Sequence, residues 1–267
     1  MLRKRVITAL WGIPLLIVAV WFDEPFQWFT LFAVFWGVLA VIEFYGMTAV
    51  SRVIPLTCFG LVWTLLFIFS PHVDYHNFDY YLLTSAVALS LILLVVIRQK
   101  EGVFISWAWM IAGILYVGLL LSFLVALRLD AGRNWLFLAL FGTFGSDTAA
   151  YFIGKTFGRH RLALRISPSK TWEGAIGGLF GAVIISLLFT LPTPFQLPLS
   201  YGQAILLGIL ISVFGQIGDL VESLLKRNMG VKESGYLMPG HGGLLDRMDS
   251  VVFAGVVVYL YYIFVVV

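Results

Sequence analysis

Charge is what this 267-residue chain has least of: Asp, Glu, Lys and Arg make up only 12% of it. Soluble domains carry about 25%, so the charge needed to keep so apolar a chain in water is missing, and a water-soluble globular protein is excluded. Cysteine is nearly absent too. The single Cys58 lies in an apolar stretch, which rules out an internal disulfide and reads as a small buried or lipid-facing hydrophobe. No single basic face is present to bind a nucleic acid, because the basic residues fall in clusters between apolar runs. The start, MLRKRVITALWGIPLLIVAVWF, has the basic head and apolar run of a signal peptide, but no small-x-small cleavage site follows Ala19. It is expected to stay as an anchor helix.

What is abundant is hydrophobic sequence, 61% of the residues. A helix needs roughly 20 apolar residues to cross the hydrocarbon. Nine segments approach this: Ile7–Phe22, Phe26–Val41, Ile54–Phe69, Tyr80–Ile97, Val103–Leu127, Trp135–Ile153, Ala175–Leu191, Ala204–Leu220 and Ser250–Val267. The expected fold is all-α, a polytopic transmembrane helical protein of about nine spans. With a cytoplasmic N-terminus, of the 17 Lys and Arg residues only Arg128 and Arg133 fall on the outer side, as the positive-inside rule requires.

The two halves differ. Residues 1–134 have short loops and almost no intramembrane charge, and are expected to be a scaffold that provides any homodimer contacts. Residues 135–267 hold longer cytoplasmic segments near 154–174 and 221–249, with acids in or beside the spans. Asp147 and Asp219 both fall roughly 18–23 Å along spans that start outside, at 1.5 Å per residue. An acid in a membrane span marks a functional site by default. Asp219 and Glu222 share a helix face at i, i+3 with Ser223 beside them, and Asp246 and Asp249 have the same spacing. Converging carboxylates suit a hard cation such as Mg²⁺, which also accepts substrate phosphates. Around these acids lie Lys155, Arg159, His160, Arg161, Arg165, Lys170, Lys226, Arg227 and Lys232, mixed with glycines. Lysines and arginines that neutralise phosphate oxygens, glycine amides that approach closely and carboxylates that hold a metal together point to phosphate chemistry. His241 stands without a second His or Cys at zinc-ligand spacing. His72 and His76 read as surface residues of an outer loop.

Residues 223–249 resemble the signature of the phosphatidate cytidylyltransferases, the CDP-diacylglycerol synthases: S-x-x-K-R-x4-K-D, a spacer, then P-G-H-G-G-x-x-D-R-x-D. Ser223, Lys226, Arg227, Lys232, Pro239, Gly240, His241, Gly242, Gly243, Asp246, Arg247 and Asp249 match, while Glu233 stands where the family has Asp. SDTAAYFIGKTFGRHRL and ISPSKTWEGAIGG are similar to the family's other conserved region and carry Asp147, Ser167, Pro168, Lys170, Thr171 and Glu173. The resemblance implies transfer of a cytidylyl group from CTP to phosphatidate in phospholipid biosynthesis, with release of pyrophosphate, in the cell (inner) membrane. It implies a polar cavity open to the cytoplasmic side, with Asp219 and Asp246 on Mg²⁺ and Asp249 and Asp147 beside them. Lys226, Arg227, Lys232 and Arg247 would hold phosphates, and Ser167, Lys170 and Thr171 would form the opposite wall. Ser223, Gly242 and Gly243 would complete the nucleotide contacts, with His241 a phosphate donor or loop organiser. The number of acids leaves room for a second cation such as K⁺. Two rival classes are a CTP-dependent polyprenol kinase, which would release CDP, and a transporter, which would be expected to show two similar halves.

Overall fold

Hydrocarbon offers no hydrogen-bond partners, so an apolar backbone in it must satisfy its own N–H and C=O groups and coils into helix. The computed structural model describes residues 2–22, 25–97, 101–235 and 242–267. In chain order the helices are α1 (Leu2–Trp21), α2 (Trp28–Met47), α3 (Ile54–Phe69), α4 (Phe78–Val96), α5 (Val103–Gly113) and α6 (Leu120–Ala126), then α7 (Arg133–Phe157), α8 (Trp172–Leu188), α9 (Tyr201–Asn228) and α10 (Asp249–Tyr261). A π-helical turn at Ile114–Leu119 joins α5 to α6, so they form one long rod. The nine predicted segments all fall on these helices. Among the described residues seven stretches are long and apolar enough to cross a membrane, while Gly12–Trp21 and Trp172–Leu188 are apolar but shorter. The protein is an all-α polytopic membrane protein. Cys58 is exposed on α3, not buried.

Two elements differ from expectation. The segment between α7 and α8, expected to be a loop, folds as an antiparallel hairpin of β1 (Arg161–Ala163) and β2 (Ser167–Thr171). In addition, α9 does not end near Leu220 but continues to Asn228. Its last turns are built from Leu, Glu, Lys and Arg, all good helix formers, and Glu222 pairs with Lys226 across one turn.

The chain forms two compact units. One comprises Met1–Val125 with Glu233–Asp246, the other Ala126–Lys232 with Arg247–Val267. In the first, Tyr45 is buried and its hydroxyl donates to the carbonyl of Met110 at 3.0 Å. Gly60 and Gly113 make room for its ring, since a Cβ at either would collide with it. His72, expected at the surface, is half-buried and shares a 3.0 Å hydrogen bond with Thr30, whereas His76 is exposed.

In the second unit α7, α8, α9 and α10 pack side by side. Gly145, Gly177 and Gly181 let α7 and α8 approach closely, and Gly218 does the same for α9 and α10. Polar groups between these helices satisfy one another, as buried polar groups must. Ser146 and Ser212 hydroxyls lie 2.8 Å apart, and Gln216 Nε2 donates to Ser212 Oγ at 2.8 Å and to the Ala175 carbonyl at 3.1 Å. Ser200 opens α9 with a capping box, accepting from Gln203 N while its own N–H donates to the Gln203 side chain.

Candidate active site

In the second unit the predicted residues gather around Asp219, which sits on α9 well inside an apolar helix. Its Oδ2 pairs with Lys170 Nζ at 2.6 Å, and Ser223 Oγ donates to its Oδ1 at 3.4 Å. Lys170 reaches it from β2, so the hairpin delivers a cation to a carboxylate on a spanning helix. The charges of Asp147 on α7 and of Asp249 at the start of α10 act on each other and on Asp219. Lys170 and Arg247 oppose the charge of Asp147, and Lys226 opposes that of Asp249. The close α9–α10 approach is what brings Asp249 in: a Cβ at Gly218 would strike the carbonyl of Asp249 and the ring of Phe253.

One turn beyond Asp219, Glu222 has 0% exposure and pairs with Lys226. A carboxylate so buried needs such a partner, because an unpaired buried charge costs several kcal/mol. Arg227 Nε donates to the carbonyl of Ile166 at 3.3 Å and ties the end of α9 to the hairpin. Thr171 is buried, and its hydroxyl caps α8 by accepting from Gly174 N at 3.2 Å. Ser167 is half-buried at the start of β2, opposite Ala163. Glu173 accepts from the backbone N–H of His160, with the His160 ring 2.6 Å away. Lys232 is exposed.

The described part of the glycine loop, from Gly242 to Asp246, belongs to the first unit. Asp246 Oδ2 accepts from Gly243 N at 2.9 Å and from Ser234 N at 3.1 Å, drawing two strands of loop together. Gly242 has φ +81°, the left-handed region that favours glycine. His241, with Pro239 and Gly240, lies outside the described residues. Among the described residues no three His, Cys, Asp or Glu side chains are gathered into a ready-made metal cage.

A family model described as the cytidylyltransferase family matches residues 3–265. The chain belongs to the cytidylyltransferase family. Among its relatives, the phosphatidate cytidylyltransferase of Bacillus subtilis (strain 168) is 33% identical over 240 residues, 88% of either chain. That of Staphylococcus haemolyticus is 40% identical over 173 residues, 64% of this chain and 65% of that one. That of Staphylococcus aureus (strain COL) is 41% identical over 175 residues, with the same coverage of 64% and 65%.

In this cytidylyltransferase the carboxylate that sequence reasoning passed over is Glu43. It lies on α2, is 7% exposed, and its Oε2 accepts from Ser234 Oγ at 3.1 Å and from Leu245 N at 3.0 Å. A signal was present: VIEFYG places one acid in an otherwise apolar helix. The predicted span stopped at Val41, so Glu43 fell just beyond its end, while α2 continues to Met47. Glu222 was noticed for sharing a face with Asp219, but its complete burial and its lysine partner appear only in the structure.

Proposed function

We propose that the chain transfers the cytidylyl group of CTP to phosphatidate, giving CDP-diacylglycerol and pyrophosphate, at a site open to the cytoplasmic side of the cell membrane. The observation that supports it most is the Lys170–Asp219 pair, a hairpin lysine on a carboxylate of a spanning helix, among the charges of Asp147, Asp249, Lys226 and Arg247. Lipid and water-soluble triphosphate must meet where apolar helices carry charges of both signs, and this cluster is such a place.

The chemistry asks little of a base. An oxygen of the phosphatidate phosphate, already an anion at neutral pH, forms a bond to the α-phosphorus of CTP. The bond from that phosphorus to the oxygen bridging to the β-phosphorus breaks, and pyrophosphate leaves with the electron pair. Catalysis of this kind rests on positioning and on neutralising charge. Lys170 is held by a carboxylate rather than by backbone, so an incoming phosphate can share it without unfolding the hairpin. Arg247 and Lys232 are exposed and would contact the triphosphate, while Arg227 keeps the hairpin against α9.

The donor set fits Mg²⁺. The ion takes one or two carboxylates and fills its remaining positions with water and substrate phosphates, which agrees with mutually interacting carboxylates that form no complete cage. Asp219 with Asp147 or Asp249 would hold it, and it would supply positive charge to the triphosphate. Asp246, also expected on the metal, has Oδ2 already accepting from two amides.

The test is product identity. Purified protein in detergent, given phosphatidate, Mg²⁺ and CTP, should release pyrophosphate in step with CTP consumed. Release of CDP instead, with a lipid alcohol as acceptor, would make the protein a kinase.

A further inference from the structure

The half of the chain read as scaffold holds the glycine loop. Trp36 and Glu43 stand seven residues apart on α2, on one face of the helix, with Ala40 fully buried between them. Both grip the same stretch: Trp36 Nε1 donates to the Leu244 carbonyl at 3.2 Å, and Glu43 Oε2 accepts from Leu245 N at 3.0 Å. The same Glu43 oxygen accepts from Ser234 Oγ at 3.1 Å, so one carboxylate fastens both ends of the loop.

The loop's glycines are shaped around this carboxylate. Gly242 needs its positive φ, but Gly243 and Gly235 do not. At Gly235 the three atoms nearest a Cβ all belong to the Glu43 side chain and it would collide with them, and at Gly243 it would strike both Ser234 Oγ and Glu43 Oε2. Two of the glycines are there to admit Glu43. Asp246, whose Oδ2 accepts from Ser234 N and Gly243 N, depends on the same two strands, and Arg247 follows it directly.

We propose that Glu43 is a positioning residue for the proposed cytidylyl transfer. It acts from the first half of the chain, setting the conformation of residues 242–246 and thereby the presentation of Asp246. This rests on the proposed function for its kinetic consequence, though not for the clamp itself.

The test uses full-length protein in lipid nanodiscs, comparing wild type with Glu43→Ala, Glu43→Gln and Gly235→Ala. Amide hydrogen exchange is followed for peptides covering 242–248 and for α2, and kcat and KM for CTP are measured beside it. A glutamine can accept both bonds through its amide oxygen, so it should keep the loop amides slow to exchange and recover most of the activity. Glu43→Ala should speed exchange in 242–248 while α2 stays protected, and should lower kcat/KM by about tenfold or more, as expected for losing bonds to a charged acceptor. Gly235→Ala should impair activity in the wild-type background but add nothing to Glu43→Ala, because the obstructing side chain is then gone. Unchanged exchange in 242–248 for Glu43→Ala would overturn the clamp. Faster exchange with unchanged kcat/KM would overturn the positioning role. If wild-type protein turned over no CTP, the function reading would fail, and the exchange data would still decide whether Glu43 holds the loop.

Discussion

Two carboxylates of the first compact unit and two of the second are held in different ways. In the first unit Glu43 and Asp246 accept from neutral donors: a serine hydroxyl and the backbone amides of Ser234, Gly243 and Leu245. In the second, Asp219 and Glu222 are answered by the ammonium groups of Lys170 and Lys226. Backbone amides have no other position to go to, so a carboxylate bonded to them fixes the shape of the chain. A lysine on a flexible stem can turn to a new anion, so a carboxylate paired with it marks a place where charge can be exchanged. The bonds to Glu43 and Asp246 hold the chain at residues 243–246, and the α9–hairpin cluster is where the proposed function would place something negative.

Substitutions can break this contrast. The largest effect is expected at the exchangeable pair. Asp219→Asn and Lys170→Met should each lower kcat/KM by roughly 100-fold or more, the scale for removing one preorganised charge interaction. The double variant should cost little more than either alone, as for residues acting as a unit, whereas full additivity would mean that the two act separately. Next comes Gly218→Ala. Its Cβ would meet the Asp249 carbonyl and the Phe253 ring, and forcing helices apart costs about 1–3 kcal/mol. Thermal unfolding should move down, and activity should fall with it because Asp219 and Asp249 part.

A smaller loss is expected at Thr171, whose hydroxyl caps α8. Thr171→Val should cost about 1 kcal/mol, read as a lower Tm, and Thr171→Ser should restore it. A much larger fall in activity than in Tm would add a substrate contact to the cap. Smallest of all is Tyr259→Phe. Its hydroxyl donates to Asp130 Oδ2 at 2.7 Å at an exposed position, near the opposite end of α10 from Asp249. Losing it should cost less than about 1 kcal/mol and leave kcat/KM unaltered.

The helices were legible because lipid leaves an apolar run one way to satisfy its backbone, and every predicted segment is helical for that reason. The acids of the second half were legible as well: Asp147 and Asp219 are conspicuous inside apolar sequence, and their charges do act on one another. Partner choice was not legible. Nothing in ISPSKTWE says that its lysine reaches an acid on α9, since this depends on a short hairpin between α7 and α8. Glu43 escaped for a related reason. Read along the chain it borders a span, and only Ser234 and Leu245, some 200 positions later in sequence, give it donors. Glycine spacing in PGHGG suggested exposed amides for phosphate. The structure assigns Gly243 a second purpose, to leave room for a carboxylate.

The central measurement is transfer of label from CTP marked at the α-phosphorus into the lipid phase, with phosphatidate and Mg²⁺ present and Asp219→Asn run alongside. Label should enter the lipid with wild-type protein and all but vanish with the variant. No label in the lipid from wild type under any divalent cation would contradict cytidylyl transfer, and equal labelling by the variant would contradict the place of Asp219 in it.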